Sequence, residues 1–431
     1  MTTNITENLD HYKKLYAEVL IKIGVNLQPG ESLYISTELA HREMISLITD
    51  AAYKAGARFV EVNWNFEPLT KSRLLNCNPE YLGFVPEYEI ARHQQMVDEG
   101  WARLALTGDE FPDLLDDVDP GLIQTTRLAR AKALKFYRKA QMGNEIAWCV
   151  AGIPTEAWAS KALPELAEES IEAAVDELWA IILRASRVDQ PDPVAAWQAH
   201  DDTLTTVTRF MAQKEIRSLR FLDEKPGPDG KPTTDLRIGL TDAPQWLAAS
   251  AIKPDGTRFM PNMPTEETFT TPHNQRTDGW VRTSKPTFPI GRKVDGATFH
   301  FEAGELVDYS ADIGADVLEK FFEISGTKRL GEVALVDNRS PINQTGRLFY
   351  DILFDENAVS HIAFGKAYPE GIVGGNGMSE DDLEEAGVNE SDAHVDFMIG
   401  TRTMSVIGIC ADGSEVKIMQ NGQFTTAVTG A

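Results

Sequence analysis

The chain has 431 residues, of which 42% are hydrophobic and 25% are charged, which is typical of a globular protein large enough for two domains. Its formal net charge is −25, so nucleic acids and anionic membrane surfaces would be repelled. The charge therefore argues against both partners and favours neutral or cationic ligands.

The first residues of the chain are charged, with Asp10, Lys13 and Lys14 among them. That charge is incompatible with the apolar stretch of a secretory signal. No apolar run in the sequence approaches the length of a membrane span. The cysteines are scattered and odd in number, which fits reduced thiols. We therefore expect a cytoplasmic protein that does not enter a membrane.

Predicted strands and helices alternate through the first half of the chain. Apolar residues recur at helical spacing from Leu9 to Ile23. The elements that follow are a strand at 32–36, a helix at 41–55, a strand at 59–64, a helix at 87–99, a strand at 101–107, a helix at 120–141 and a strand at 146–150. This order predicts a mainly parallel sheet with flanking helices. The sequence contains no GxxxxGK[ST] motif, and its first strand-to-helix turn lacks GxGxxG, so nucleotide binding has no support.

The clearest boundary is Asp223 to Thr234, DEKPGPDGKPTT, because proline, glycine and charge together disfavour regular structure. We place a domain junction there, with an N-terminal α/β domain at 1–222 and a C-terminal domain at 223–431. The alternative is a long hairpin loop inside the second domain. Beyond the boundary, short strands with frequent turns predict a mixed α+β domain with a curved antiparallel sheet or partial barrel.

Two glutamate motifs mark the second half. The sequence PTEETFT at 264–270 places Glu266 and Glu267 before a β-prone run, and LGEVALV at 330–336 places Glu332 in an otherwise apolar strand. Burial of an unpaired charge in such a strand costs roughly several kcal/mol, so Glu332 should meet a cation or take up a proton. An ordinary ion pair with an arginine is the alternative.

Two histidine motifs follow. In DENAVSHIAFGKAY at 355–368, His361 lies between apolar neighbours. In HVDFMIG at 394–400, a strand would direct His394 and Asp396 to one face and the apolar residues to the other. An imidazole and a carboxylate that point to one place favour a metal site, although a core histidine beside a surface aspartate is the alternative.

Taken together, these motifs predict a metal site that carries the chemistry of the second domain. The candidate ligands are three carboxylates and two imidazoles: Glu266, Glu332, His361, His394 and Asp396. The set suits zinc, cobalt or manganese and exceeds what one tetrahedral ion needs. Two divalent ions that share a carboxylate fit better.

The four motifs resemble those of the M29 family of metallo-aminopeptidases, the aminopeptidase T and aminopeptidase S type. The resemblance implies that the five candidate residues are metal ligands, that Glu332 bridges two ions and that Tyr368 lies in the active site. It also implies a homodimer that acts on small peptides with a free N-terminus.

The expected activity is hydrolysis of N-terminal residues by a water that bridges two ions. Tyr368 would donate a hydrogen bond to the developing oxyanion, and either Glu267 or Glu356 would act as general base. Two histidines and one carboxylate also resemble a non-haem iron site, so a ring-cleaving dioxygenase of the dihydroxypyridine type is an alternative. A non-catalytic protein with a closed structural metal site is a further alternative.

Overall fold

The structure is a computed structural model that describes residues 5–227 and 230–430. The contacts group the chain into two compact units: the first comprises Met1–Trp197 and Ser250–Pro264, and the second comprises Gln198–Ala249 and Thr265–Ala431. The strands, in chain order, are β1 Ser32–Glu38, β2 Phe59–Asn65, β3 Ala102–Thr107, β4 Trp148–Gly152, β5 Ile216–Pro226, β6 Pro232–Leu240, β7 Ala251–Ile252, β8 Arg258–Phe259, β9 Asn262–Met263, β10 Glu267–Thr270, β11 Pro272–Arg282, β12 Thr298–Glu302, β13 Glu305–Ser310, β14 Leu330–Val336, β15 His361–Gly365, β16 His394–Met398, β17 Ser405–Cys410, β18 Glu415–Gln420 and β19 Gln423–Phe424.

The first unit contains a parallel sheet with the strand order β2-β1-β3-β4-β9. Leu33, Tyr34 and Ile35 are all buried, so β1 is covered on both faces, as central parallel strands are. Helices flank this sheet in sequence, at Leu9–Val19, Arg42–Lys54, Glu67–Asn76, Glu87–Asp98, Pro120–Ala133, Lys135–Met142, Glu156–Ala162, Pro164–Glu169 and Ile171–Ala185. The helix Ile171–Ala185 begins where the Ser170 side chain accepts a hydrogen bond from the Ala173 amide.

The second unit is built on two antiparallel sheets. The larger sheet has the order β13-β12-β11-β6-β5-β17-β18-β19, and the smaller has the order β10-β14-β15-β16. Its shorter helices lie at Ala315–Phe321, Pro341–Gln344, Ile352–Glu356, Glu380–Glu385 and Thr426–Thr429. The longer helix Pro193–Gln213 precedes β5 in the chain. These two sheets position the candidate site described below.

An aromatic core lies between the two sheets of the second unit. Phe299 on β12 packs edge-to-face against Phe364 on β15 and Phe397 on β16, with ring centroids 4.8 and 5.1 Å apart. Phe364 and Phe397 are themselves in edge-to-face contact at 5.4 Å. Edge-to-face pairs are the arrangement that aromatic side chains favour in cores. The smaller sheet is therefore anchored to the larger one through one of its faces.

The predicted fold class is confirmed: a parallel sheet with flanking helices precedes antiparallel sheets. The boundary segment is part of a long hairpin, in which β5 and β6 pair from Ser218 with Gly239 to Pro226 with Pro232. The domain limits 1–222 and 223–431 stay a prediction. Among residues 5–227 and 230–430, no helix combines the length and the apolar character that crossing a membrane requires.

Candidate metal centre

The strand register directs four of the predicted ligands to one face of the smaller sheet. Glu332 on β14 lies opposite Ala363 on β15, which lies opposite Asp396 on β16. His361 lies two residues before Ala363, so its side chain shares that face. His394 lies two residues before Asp396 and shares it for the same reason. The intervening apolar residues face the aromatic core instead.

A bulge in β14 directs the Glu332 side chain to this face of the sheet. Leu330 pairs with Phe364, whereas Glu332 pairs with Ala363, so Gly331 is an extra residue between the two pairs. Leu330 consequently faces the core while Glu332 faces the cluster. A Cβ atom on Gly331 would lie 2.3 Å from the Lys366 carbonyl oxygen, so glycine is required where the two backbones approach.

The side chains converge around His361. Its Nε2 atom lies 3.2 Å from Oε2 of Glu267, 3.4 Å from Oε1 of Glu332 and 3.9 Å from Oδ1 of Asp396. Nε2 of His394 lies 3.5 Å from Oδ1 of Asp396 and 3.8 Å from Oε2 of Glu332. The two oxygen atoms of Glu332 therefore face different imidazoles.

Backbone carbonyl groups orient both imidazole rings. Nδ1 of His394 lies 2.7 Å from the Lys366 carbonyl oxygen, and Nδ1 of His361 lies 3.3 Å from the Val359 carbonyl oxygen. A carbonyl only accepts, so Nδ1 carries the proton in both rings. Nε2 is then the atom presented to the carboxylates, which is the arrangement that metal-binding histidines adopt.

Buried carboxylates determine the direction in which the pKa values of the cluster residues are shifted. Burial raises the pKa of Glu332 above its usual range, with further contributions from Glu267 and Asp396. Burial lowers the pKa of His361, but the adjacent Glu267 and Glu332 outweigh it and raise that pKa well above 6.5. For His394, burial again opposes and the Asp396 charge dominates, which gives a pKa of about 9. Without a cation, the imidazoles thus take up protons to balance the carboxylates.

Glu266 and Glu267 occupy different environments although they are adjacent. Glu267 begins β10 and pairs with Val336, which places it on the cluster face. Oε2 of Glu266 lies 3.6 Å from Nε2 of His200, and its backbone amide donates to Oδ1 of Asn357 at 2.7 Å. The structure therefore brings Glu332, His361, His394 and Asp396 together, with Glu267 in contact with His361 and Glu266 in contact with His200.

Tyr368 borders the cluster. Its ring packs against the His394 ring with centroids 4.8 Å apart. Burial raises the pKa of the Tyr368 hydroxyl, and the charges of Glu332 and Asp396 raise it further. The hydroxyl is therefore a donor under all ordinary conditions.

Glu356 is the other carboxylate near the cluster. It ends the helix Ile352–Glu356, and Nδ2 of Asn357 lies 3.4 Å from its Oε1 atom. Burial raises the pKa of Glu356 well above the usual value, and the charges of Asp396 and Glu267 add to this effect. A carboxyl group with a raised pKa is suited to accept and release a proton.

The residues present fit a divalent cation. Ligand atoms of Glu267, Glu332 and His361 all lie within 4.8 Å of one another, and all three side chains are buried. Buried carboxylates outnumber the imidazoles, so a cation would neutralise charge that is otherwise costly to bury. Mixed carboxylate and imidazole ligands suit zinc, cobalt and manganese.

Sequence patterns did not indicate two features of this site. The position of Glu267 on the cluster face depends on pairing between β10 and β14, which are distant in sequence. The contact between His200 and Glu266 depends on the helix Pro193–Gln213, which carries no ligand motif. A count of strand alternation back from Phe269 could have assigned Glu267 to the face opposite Thr268, but not its partners.

Comparison with known proteins places the whole chain in one family. Residues 9–424 match the M29 family of thermophilic metalloproteases. Aminopeptidase 2 of Geobacillus stearothermophilus is 38% identical over 95% of this chain and 96% of its own length. Aminopeptidase PepS of Streptococcus thermophilus is 37% identical over 98% of each chain, and aminopeptidase T of Thermus aquaticus is 36% identical over 97% of this chain and 98% of its own length.

A solved structure agrees with these matches. Wild-type AmpT from Thermus thermophilus superposes with a TM-score of 0.87 at 33% identity, covering 97% of this chain and 100% of that chain. The agreement in fold extends over both units, and the family match extends over all four motifs. The chain therefore belongs to the M29 family of metalloproteases, which confirms the resemblance drawn from those motifs.

Proposed function

We propose that this chain is an aminopeptidase that removes N-terminal residues from small peptides with the help of two divalent ions. Membership of the M29 family makes it a metal-dependent hydrolase of peptide bonds, and the relatives named above are aminopeptidases. The observation that carries the proposal is the convergence of Glu332, His361, His394 and Asp396 on one face of the smaller sheet.

The proposed ligands are Glu266, Glu332, His361, His394 and Asp396, with Glu332 as the bridge. The bridging role is supported by its two oxygen atoms, since Oε1 faces His361 and Oε2 faces His394. One carboxylate with an imidazole on each side is compatible with two neighbouring ions that share it. The ions would be zinc, cobalt or manganese, as for any site of this ligand type.

When bound, such ions would lower the pKa of the attacking water and polarise the scissile carbonyl. Side chains of the protein stabilise the oxyanion and transfer the protons. Tyr368 donates its hydroxyl hydrogen to the oxyanion that develops on the carbonyl. Glu356 or Glu267 accepts the proton from the attacking water and passes it to the departing amine. The surplus of carboxylates favours a substrate with a protonated N-terminus over one that is blocked.

The test compares an unblocked dipeptide or aminoacyl-anilide with its N-acetylated form, with and without a chelator. We expect hydrolysis of the unblocked substrate alone, loss of activity with the chelator and recovery when zinc, cobalt or manganese is returned. Elemental analysis of protein purified without added metal should give two ions per chain. Hydrolysis of the blocked form, or activity that withstands the chelator, would contradict the proposal.

The dioxygenase alternative receives no support from the relatives reported above. It requires one ferrous ion and oxygen uptake, whereas the hydrolase requires neither.

The expected homodimer also belongs to this proposal, and sedimentation analysis of the metal-loaded protein tests it, because a monomer at micromolar concentration would contradict it. A cytoplasmic location stays a prediction.

A further inference from the structure

A second cavity in the same unit differs from the metal centre in its charge. Its volume is about 690 Å³ and its lining includes the basic residues Lys225, Arg282, Lys285 and Arg402. Hydroxyl groups of Thr283, Ser284 and Thr401 and the amide side chains of two asparagines also line it. We call it the basic cavity. The chain as a whole has 66 acidic and 41 basic residues, so a cavity with this excess of cations reverses the general balance.

The acidic residue that lines the basic cavity is occupied by internal hydrogen bonds. Asp223 is fully buried, and its carboxylate accepts from the Thr401 hydroxyl at 2.5 Å, the Thr403 hydroxyl at 2.9 Å and the Lys225 amide at 3.1 Å. These bonds fix the Thr401 turn and the last residues of β5. Asp223 therefore shapes the cavity wall and forms no ion pair with the cations around it.

Three of the four cations have no anionic contact among residues 5–227 and 230–430, and Lys225 is an exposed one of these. Arg282 forms an ion pair with Asp312 and a hydrogen bond with Thr298. By contrast, neither Lys285 nor Arg402 forms a hydrogen bond or ion pair with any residue in 5–227 or 230–430. Lys285 is half-buried, and its burial lowers its pKa while the charge of Asp355 partly compensates. A half-buried ammonium group without a contacting anion is costly unless a ligand supplies one.

The basic cavity adjoins the end of the strands that carry the metal centre. Val359 lines it two residues before His361, and Gly400 lines it two residues after Met398, the residue that pairs with His361. Two residues of chain span at most about 7 Å, so the cavity wall begins within about that distance of the His361 backbone. Ser284 fixes the lysine-bearing segment here, since its amide donates to the Met398 carbonyl at 2.8 Å.

A peptide held at the metal centre could reach this cavity. An extended peptide advances about 3.3 Å per residue, so the far end of a substrate of two to four residues lies at the distance of the cavity wall. That end carries a carboxylate, which is the group that lysine and arginine side chains bind through charge-assisted hydrogen bonds. A long protein chain has no C-terminal carboxylate at this distance from its N-terminus.

We propose that the basic cavity binds the C-terminal carboxylate of small peptide substrates through Lys285, with Arg402 as a second contact. This inference rests on the proposed aminopeptidase function and adds a preference for short peptides with a free carboxyl end. The preference would arise from binding, because the carboxylate lies away from the scissile bond and is unchanged in the transition state.

The experiment uses the metal-loaded enzyme and two tripeptides, Leu-Gly-Gly and Leu-Gly-Gly-amide, which differ in the terminal carboxylate alone. For the natural sequence we expect kcat/KM to favour the free acid by roughly tenfold or more, mainly through KM, as a charged hydrogen bond provides. K285M should reduce this ratio to near one, K285R should restore part of it, and R402Q should reduce it partly. The control is K320M, since Lys320 is exposed and pairs with Glu323 away from the cavity.

The outcomes separate this inference from the proposed function. Equal kcat/KM for the acid and the amide in the natural sequence, or an unchanged ratio in both K285M and R402Q, would overturn the carboxylate site while leaving aminopeptidase activity intact. A site for a free anion would instead show as an increase in Tm with inorganic phosphate that K285M abolishes, together with an unchanged acid-to-amide ratio, which also overturns the inference. R402Q alters an exposed side chain, so it provides the test if K285M does not fold.

Discussion

Glu332 is the residue on which the candidate metal centre depends most, because its two carboxylate oxygens contact different imidazoles. E332A removes both contacts at once. We expect activity on a dipeptide to fall by more than about 100-fold and bound metal to fall with it. Activity assays and elemental analysis of the same preparation check this. E302A, which changes an exposed glutamate on β12, should retain both, and a metal-free but active E332A would refute the bridging assignment.

The adjacent residues Glu266 and Glu267 allow a matched pair of variants to be compared. Glu266 contacts His200, whereas Glu267 contacts His361. If Glu266 is the ligand and Glu267 the proton acceptor, E266Q should lose metal, whereas E267Q should keep its metal and lose roughly 100-fold or more in kcat. Metal content and kcat of both variants decide the roles. The reverse result would make Glu267 the ligand, and full activity in both would exclude either role.

His41 gives the first unit a pH-dependent stability. Nε2 lies 3.0 Å from the Gly108 carbonyl oxygen, to which it donates, and Nδ1 lies 3.0 Å from the Thr37 hydroxyl, from which the neutral ring accepts. Burial lowers the pKa of His41 to about 4, and the Gly108 contact partly opposes this effect.

The unfolded chain takes up the proton near pH 6.5, so the stability from neutral His41 is present above that pH and is lost as the pH falls to about 4. A shift of this size corresponds to about 3 kcal/mol in total. Urea unfolding of H41Q at pH 7.5 and pH 5 should show a smaller difference than the natural sequence. H11Q, at an exposed histidine, should match the natural sequence, and an H41Q profile equal to it would contradict this assignment.

At the scale of elements, the bulge in β14 sets the position of Glu332. In G331A the new methyl group would lie 2.3 Å from the Lys366 carbonyl oxygen and 2.5 Å from that of Gly365. We expect a loss of roughly 2 kcal/mol or more in the free energy of unfolding, together with reduced metal binding, because the backbone next to Glu332 must move.

Chemical denaturation and metal analysis of G331A check this expectation. G377A is the control, since a Cβ atom there meets no atom within 4 Å. Its stability and metal content should stay near those of the natural sequence. If G331A behaved like G377A, the bulge would not be what holds Glu332 in place.

The sequence was sufficient for elements whose pattern is local. Alternation from His394 to Gly400 predicted both faces of β16, because successive side chains of a strand point to opposite faces. It was insufficient for the exact ends of elements and for pairing between distant strands, such as that of Glu267 on β10 with Val336 on β14. The predicted helix 120–141 is two helices that meet at Leu134. The segment 223–234, interpreted as a domain junction with a hairpin loop as the alternative, is largely part of a hairpin, since proline and glycine weaken a strand without preventing its pairing near a turn.

At the scale of the whole molecule, residues 250–264 belong to the first unit although 52 residues of the second unit, 198–249, precede them. Strand β9 in this segment extends the parallel sheet next to β4. The buried Lys253 forms an ion pair at 2.6 Å with the half-buried Glu31. No local pattern reveals such a return, because the two segments are joined by contacts rather than by sequence. The order of the predicted elements nevertheless indicated the fold class, a parallel sheet with flanking helices followed by antiparallel sheets.

This return predicts how fragments behave. A fragment of residues 1–222 lacks β9 and Lys253, so the edge of β4 and the Glu31 carboxylate lose their partners, and we expect aggregation. A chain that joins residues 1–197 to 250–264 through a flexible linker should remain soluble and more helical. Size-exclusion chromatography and circular dichroism compare the two fragments. A well-folded, monodisperse 1–222 fragment would contradict this expectation.

The phenylalanine core and the candidate ligands alternate along the same two strands, with Phe364 three residues beyond His361 and Phe397 next to Asp396. A change in the volume of either ring therefore displaces the backbone that holds a ligand on the other side. Over evolutionary time, such coupling limits which substitutions are tolerated. The core residues of this sheet can change only through replacements that preserve the positions of the candidate ligands on its other face.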